Sequence, residues 1–167
     1  MNFAELNQTS RAKAVEAFLT CCGSSRWAEK MADRRPYDSV QDLFRFADSF
    51  WWNLSAEDWL EAFAAHPRIG DLDSLREKFK STNEWAGREQ SGVREASDDV
   101  LQRLARGNAD YEDKFGYIFI VCATGKSAGE MLELLERRLM NVPDEEIRNA
   151  AEEQRKITQL RLKKLIT

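Results

Sequence analysis

Apolar residues recur three and four positions apart along almost the whole chain, the repeat of one helical face. Between Ser10 and Gly23 they are Val15, Phe18, Leu19 and Cys22, with Gly23 as a stop. A short helix is expected from Ser25 to Ala32, ending ahead of Arg35-Pro36. Ser39 with Asp42 has the form of a capping box, an acid standing in for Glu. It opens a helix whose buried face would be Val40, Leu43, Phe44, Ala47 and Trp51. Ser55 with Asp58 repeats the device ahead of Trp59, Leu60, Phe63 and Ala64. Pro67 closes that helix, because it disfavours the α region at the residue before it.

Asp71 is placed to cap a helix carrying Leu72, Leu75 and Phe79, and Ser81 with Glu84 to open a short one over "STNEWAGREQ". Ser97 starts a longer helix with Val100, Leu101, Leu104, Tyr111 and Phe115 on one side, closed by Gly116. The run "YIFIVCA" (117–123) is strand-like but has no partner strand to satisfy its backbone, so it is expected as a buried extended or short helical segment. Ser127 with Glu130 caps "EMLELLERRL", and Pro143 suits the first position of the last helix. The pattern predicts an all-α fold, a single compact domain of about eight or nine helices.

Composition narrows the function classes. The 43% hydrophobic and 32% charged fractions mark a globular chain, and nine Phe with five Trp supply its core. A net charge of −4 with interspersed signs lacks the basic face that nucleic acid requires. The basic tail "RKITQLRLKK" is explained by the end of a helix, where cations favour the dipole. No apolar run approaches the ~18 residues of a membrane span. "MNFAELNQTS" has no basic and apolar leader regions, and the final "LIT" matches no targeting address. Cys21, Cys22 and Cys122 have no metal-ligand spacing and read as small buried hydrophobes of a reducing compartment. The expected location is cytoplasmic.

His66 is the single histidine of the chain. Pro67 pushes it into extended backbone at a helix end, where it would project from a rigid corner. An imidazole titrates near neutrality and can exchange protons at working pH. At this point a helix-capping role and a proton-handling role both stand open. A zinc site is not available from one histidine and scattered cysteines, whereas a carboxylate-only magnesium site remains open. Glu89 and Gln90, with Trp85 near, put a carboxylate beside an amide at a helix end before Ser91-Gly92 turn the chain. That pair could fix a polar heterocycle or simply face solvent. In the last helix Ile147, Ala150, Ile157, Leu160 and Leu165 form a stripe with Arg161 near its middle. An inward guanidinium needs acceptors, either an internal carboxylate or a bound ligand rich in oxygens. "ATGKS" (123–127) is only the tail of a phosphate-loop pattern, with Ile120 where the first glycine would stand, and Ser127 is better explained as a cap.

Four segments in order, "HPRIGD" (66–71), "REQSGV" (88–93), "YEDKFGYIFIVCATGKS" (111–127) and "KITQLRLKKL" (156–165), together with the early "LNQTS" and "RRPYDSV", are similar to the 2-oxo-4-hydroxy-4-carboxy-5-ureidoimidazoline (OHCU) decarboxylase family. The likeness covers nearly the whole chain, and it implies a single decarboxylase-like domain over 1–167. The resemblance implies an all-α enzyme of urate breakdown that needs no cofactor or metal, acts on a small-molecule substrate and is often dimeric. It places the catalytic histidine at His66 and its acidic partner at Glu89. Pro67 and Gln90 fall on neighbouring substrate contacts, Phe119, Ile120 and Val121 on the segment lining the site, and Arg161 on the family's C-terminal arginine. Many members carry a serine where this chain has Ala86, so one hydroxyl contact to the substrate would be absent, or supplied by Ser81, Thr82 or water.

The implied chemistry suits these residue types. The substrate carries its own electron sink, a ring C=N next to the departing carboxylate. The protein then has to orient that carboxylate, manage a hydroxyl proton and protonate one face of the neighbouring carbon, giving (S)-allantoin. Two rivals are a non-catalytic all-α binding or scaffold module, and hydrolysis of the preceding intermediate by a β-rich transthyretin-like fold. The helical repeat disfavours the latter.

Overall fold

The computed structural model describes residues 1–68, 70–79 and 91–167, and the side chains of all of these except 91–97. Among the described residues there are nine helices and no strand: α1 (Phe3–Gln8), α2 (Arg11–Cys21), α3 (Ser25–Arg34), α4 (Val40–Trp52), α5 (Ala56–Ala64), α6 (Leu72–Lys78), α7 (Ser91–Phe115), α8 (Ala128–Arg138) and α9 (Pro143–Leu165). The all-α expectation is met. The helix expected over "STNEWAGREQ" lies outside the described residues.

The chain divides into two compact units, Met1–His66 with Ile147–Thr167, and Pro67–Glu146. In the first, α1 was not anticipated. Asn2 and Glu5 close a reciprocal capping box, but only Leu6 of its six residues is buried, which is too little to generate a periodic signal. The α2 face is rotated from the expected one. Ala14, Phe18 and Cys21 are buried while Leu19 is 38% exposed. Phe18 meets Trp27 of α3 edge-on at 5.8 Å, and the Trp27 indole N–H donates to the Ala47 carbonyl at 3.0 Å. Trp51 of α4 donates likewise to the Ala151 carbonyl of α9 at 2.9 Å, tying the last helix to this core. On α5 the buried pair is Ala62 and Phe63, whereas Leu60 and Ala64 lie outward.

In the second unit Leu75, Phe79, Leu101, Leu104, Tyr111, Met131, Leu132 and Leu135 form one cluster from α6, α7 and α8. Gly107 lets α7 approach α8, since a Cβ there would stand 2.7 Å from Leu135 Cδ2. The long helix spans Ser91–Phe115, so Ser91 and Gly92 lie within it instead of turning the chain. Gly116 ends it at φ 84°, a left-handed position that suits glycine. Residues 117–123 then run without helix or strand, as the unpaired backbone predicted. Gly125 at φ 76° turns "ATGKS", the Lys126 amine folds back onto the Cys122 carbonyl, and the Ser127 hydroxyl caps α8. This is a turn and a cap, as expected. Among the described residues no helix is long and apolar enough to cross a membrane.

Candidate active site

His66 sits just past the end of α5. The helix opens on a full Ser55–Asp58 capping box and closes at Ala65, after which the His66 amide still reaches the Phe63 carbonyl at 3.2 Å. The chain around Cys22 and Gly23 is drawn tightly against this corner. A Cβ on Gly23 would lie 2.3 Å from that of Ala65, so only glycine permits the approach. His66 is half-buried, and its Nε2 is 2.5 Å from Oε1 of Gln154 on α9. Gln154 is fully buried and donates its amide N–H to Thr158 Oγ1 at 3.2 Å, one helical turn on.

Burial pushes the imidazole below its ordinary value, the Gln154 hydrogen bond partly opposes this, and the positive charge of Arg161 pushes it further down. This shift favours the neutral imidazole, the state a proton acceptor needs. Arg161 is half-buried on the same helix and also acts electrostatically on Cys21 and Cys22. Burial raises both thiols, Cys22 to about 11, so neither supplies a thiolate at neutral pH. Among the described residues, no group of three or more His, Cys, Asp and Glu side chains is arranged to hold a metal ion.

The α9 stripe needs a correction. Beyond Glu146 in its first turn, the buried positions are Ala150, Ala151, Gln154, Thr158 and Leu162, while Leu160 is 39% exposed. At 3.6 residues per turn the inward face is rotated by about 60° from the expected one. Arg161 stays on its border, within about 20° of Gln154 on the same wheel. Gln154 and Thr158 were missed because polar residues at i and i+4 dilute an apolar stripe instead of defining it.

The second unit carries Pro67, which is exposed, and the 119–121 segment. Phe119 and Val121 are half-buried and Ile120 is 2% exposed. In place of a partner strand, Arg138 of α8 donates to the Ile120 carbonyl at 2.6 Å and lays its guanidinium 4.6 Å from the Phe119 ring centre. Arg138 is held by Glu146 (Nε to Oε1, 2.6 Å), and Tyr111 and Asn141 donate to the same carboxylate. This buried network was not anticipated, although Arg138 falls on the apolar face of α8 with Met131 and Leu135. The inward-arginine argument applied to Arg161 would have found it. His66 and Arg161 belong to the first unit, and Pro67, Phe119, Ile120 and Val121 to the second. Glu89, Gln90 and Ala86 lie outside the described residues.

Comparison with known proteins gives a consistent picture. The OHCU decarboxylase family model matches residues 7–163. The uric acid degradation bifunctional protein TTL of Arabidopsis thaliana is 39% identical over 152 residues, covering 91% of this chain and 47% of that protein. The uric acid degradation bifunctional protein of a Bacillus species is 27% identical and only 32% covered, so the chain spans less than half the length of these two relatives. The 2-oxo-4-hydroxy-4-carboxy-5-ureidoimidazoline decarboxylase of Amia calva is 32% identical over 173 residues, covering 99% of this chain and 95% of that protein. A crystal structure of OHCU decarboxylase in the presence of (S)-allantoin aligns with a TM-score of 0.71 at 39% identity, over 89% of this chain and 96% of the other.

Proposed function

Because the chain belongs to the OHCU decarboxylase family, we propose that it decarboxylates OHCU to (S)-allantoin in urate breakdown, without a cofactor, using His66 to handle the proton. The observation that carries this reading is the half-buried imidazole held by Gln154, with Arg161 acting on it electrostatically from the same helix. As the C–C bond to the carboxylate breaks, its electron pair passes into the adjacent ring C=N and CO₂ leaves. The carbon that bore the carboxylate keeps its hydroxyl as an enol. The ring nitrogen that received the electron pair takes a proton, removal of the hydroxyl proton gives the product carbonyl, and a proton added to one face of the neighbouring carbon sets the configuration. One proton is taken up overall. His66 accepts the hydroxyl proton, Arg161 and Gln90 hold substrate oxygens, and Glu89 sets charge and geometry about the ureido group. Pro67 and the 119–121 segment line the site, the latter offering backbone groups.

The reading extends to residues 1–167 acting as one domain in a cytoplasmic homodimer. The family model spanning both units supports the former, and sedimentation velocity tests the latter. The activity test supplies freshly generated OHCU to the purified protein and follows the product by circular dichroism. Accelerated appearance of (S)-allantoin, unaffected by EDTA, is expected. A rate and a racemic product equal to those of buffer alone would refute the assignment.

A further inference from the structure

The contacts around His66 have a direction. The Gln154 amide turns its oxygen to the imidazole at 2.5 Å and its NH₂ to Thr158 Oγ1 at 3.2 Å. A hydroxyl oxygen accepts, so Thr158 receives the amide proton. A carbonyl oxygen only accepts. The ring nitrogen facing it must therefore carry hydrogen, and in a neutral imidazole the other nitrogen is then bare. Gln154 is 0% and Thr158 6% exposed, so water cannot readily substitute for either partner.

We propose that Gln154 is a positioning residue for the reaction: it holds His66 as the Nε2–H tautomer, so that Nδ1 is the atom that takes and returns the substrate proton. The inference rests on the reading of His66 as the proton-handling group. Among the described residues, the groups that act on the ring are Gln154 and Arg161 from α9, and Cys21 and Cys22 share the Arg161 field from the end of α2. A full-length amide suits this task. It offers an acceptor without adding a negative charge that would drive the imidazole toward its protonated form.

Because the chain holds one histidine, protein labelled isotopically at the ring nitrogens reports this imidazole alone. In wild type at neutral pH and above, NMR should show hydrogen on Nε2 and a bare Nδ1. Gln154→Leu should let the two tautomers exchange and lower kcat about 10- to 100-fold with KM little changed, part of the roughly 10²- to 10⁴-fold that a positioned acid–base group supplies. The nearly isosteric Gln154→Glu guards against a folding failure of the leucine variant. It should keep Nε2–H and move the acidic limb of the kcat–pH profile to higher pH. Hydrogen on Nδ1 in wild type would overturn the proposal. So would wild-type kcat and pH dependence in both variants while His66→Ala is inactive. Full activity in His66→Ala would instead overturn the parent assignment of His66.

Discussion

The Arg138–Glu146 pair offers the sharpest test of how the 119–121 segment is held. Glu146 is fully buried, and Arg138 is 8% exposed. The carboxylate accepts from Arg138 Nε and Tyr111 Oη at 2.6 Å each and from Asn141 Nδ2 at 3.0 Å. In Glu146→Ala the guanidinium stays buried with its carboxylate gone, and removing one partner of such a pair costs about 3–5 kcal/mol. Glu146→Gln keeps the shape and an acceptor for Tyr111 but loses the charge, so about 1–3 kcal/mol is expected. Arg138→Met should cost about as much as Glu146→Ala and also strips the Ile120 carbonyl of its donor. The double variant Arg138→Met with Glu146→Gln leaves neither charge buried. It should be more stable than the sum of the singles by more than about 1 kcal/mol. Urea denaturation followed by far-ultraviolet circular dichroism and tryptophan fluorescence gives each value. Single substitutions costing less than about 1 kcal/mol, or strictly additive ones, would refute the reasoning.

Three further outcomes follow from the geometry of the first unit. Gly23→Ala places a methyl 2.3 Å from Ala65 Cβ and should cost about 1–3 kcal/mol by thermal denaturation, with Ala65→Gly restoring most of it. Arg161→Met removes a positive charge that depresses His66, so the NMR titration midpoint of the imidazole should rise; an unchanged or lower midpoint contradicts the coupling. Burial holds the folded-state value of His66 below the ordinary 6.5 of the unfolded chain, so the unfolded state binds the proton more readily. That contribution to stability is full above the unfolded value and is lost as pH falls through the folded one. His66→Gln should flatten this acid-side loss in urea midpoints measured across pH, and an unaltered slope would contradict it.

Helix existence was legible wherever a cap and an apolar stripe coincided, as at Ser55, Ser127 and Pro143. Phase was less legible. Leu19, Leu60 and Leu160 drew the expected faces toward solvent, because a large apolar residue weighs the same in a pattern whether buried or not. The extended 117–123 run was readable from its lack of a partner strand, yet its support comes from Arg138, seven residues past Met131 on a neighbouring helix. His66 stood out through Pro67 and Arg161 through its inward position. Gln154 did not, since its role depends on a contact 88 positions away in sequence. Long-range hydrogen bonds of this kind leave no local spacing to read.

The central claim is that His66 carries the proton in OHCU decarboxylation, and it is tested most directly by single-turnover decay of OHCU with wild type and with His66→Ala, followed by circular dichroism. The account predicts that the variant, folded as judged by its far-ultraviolet spectrum, loses about 10²-fold or more of the catalysed rate and its preference for (S)-allantoin. Decay at the wild-type rate with the product still of S configuration would contradict it.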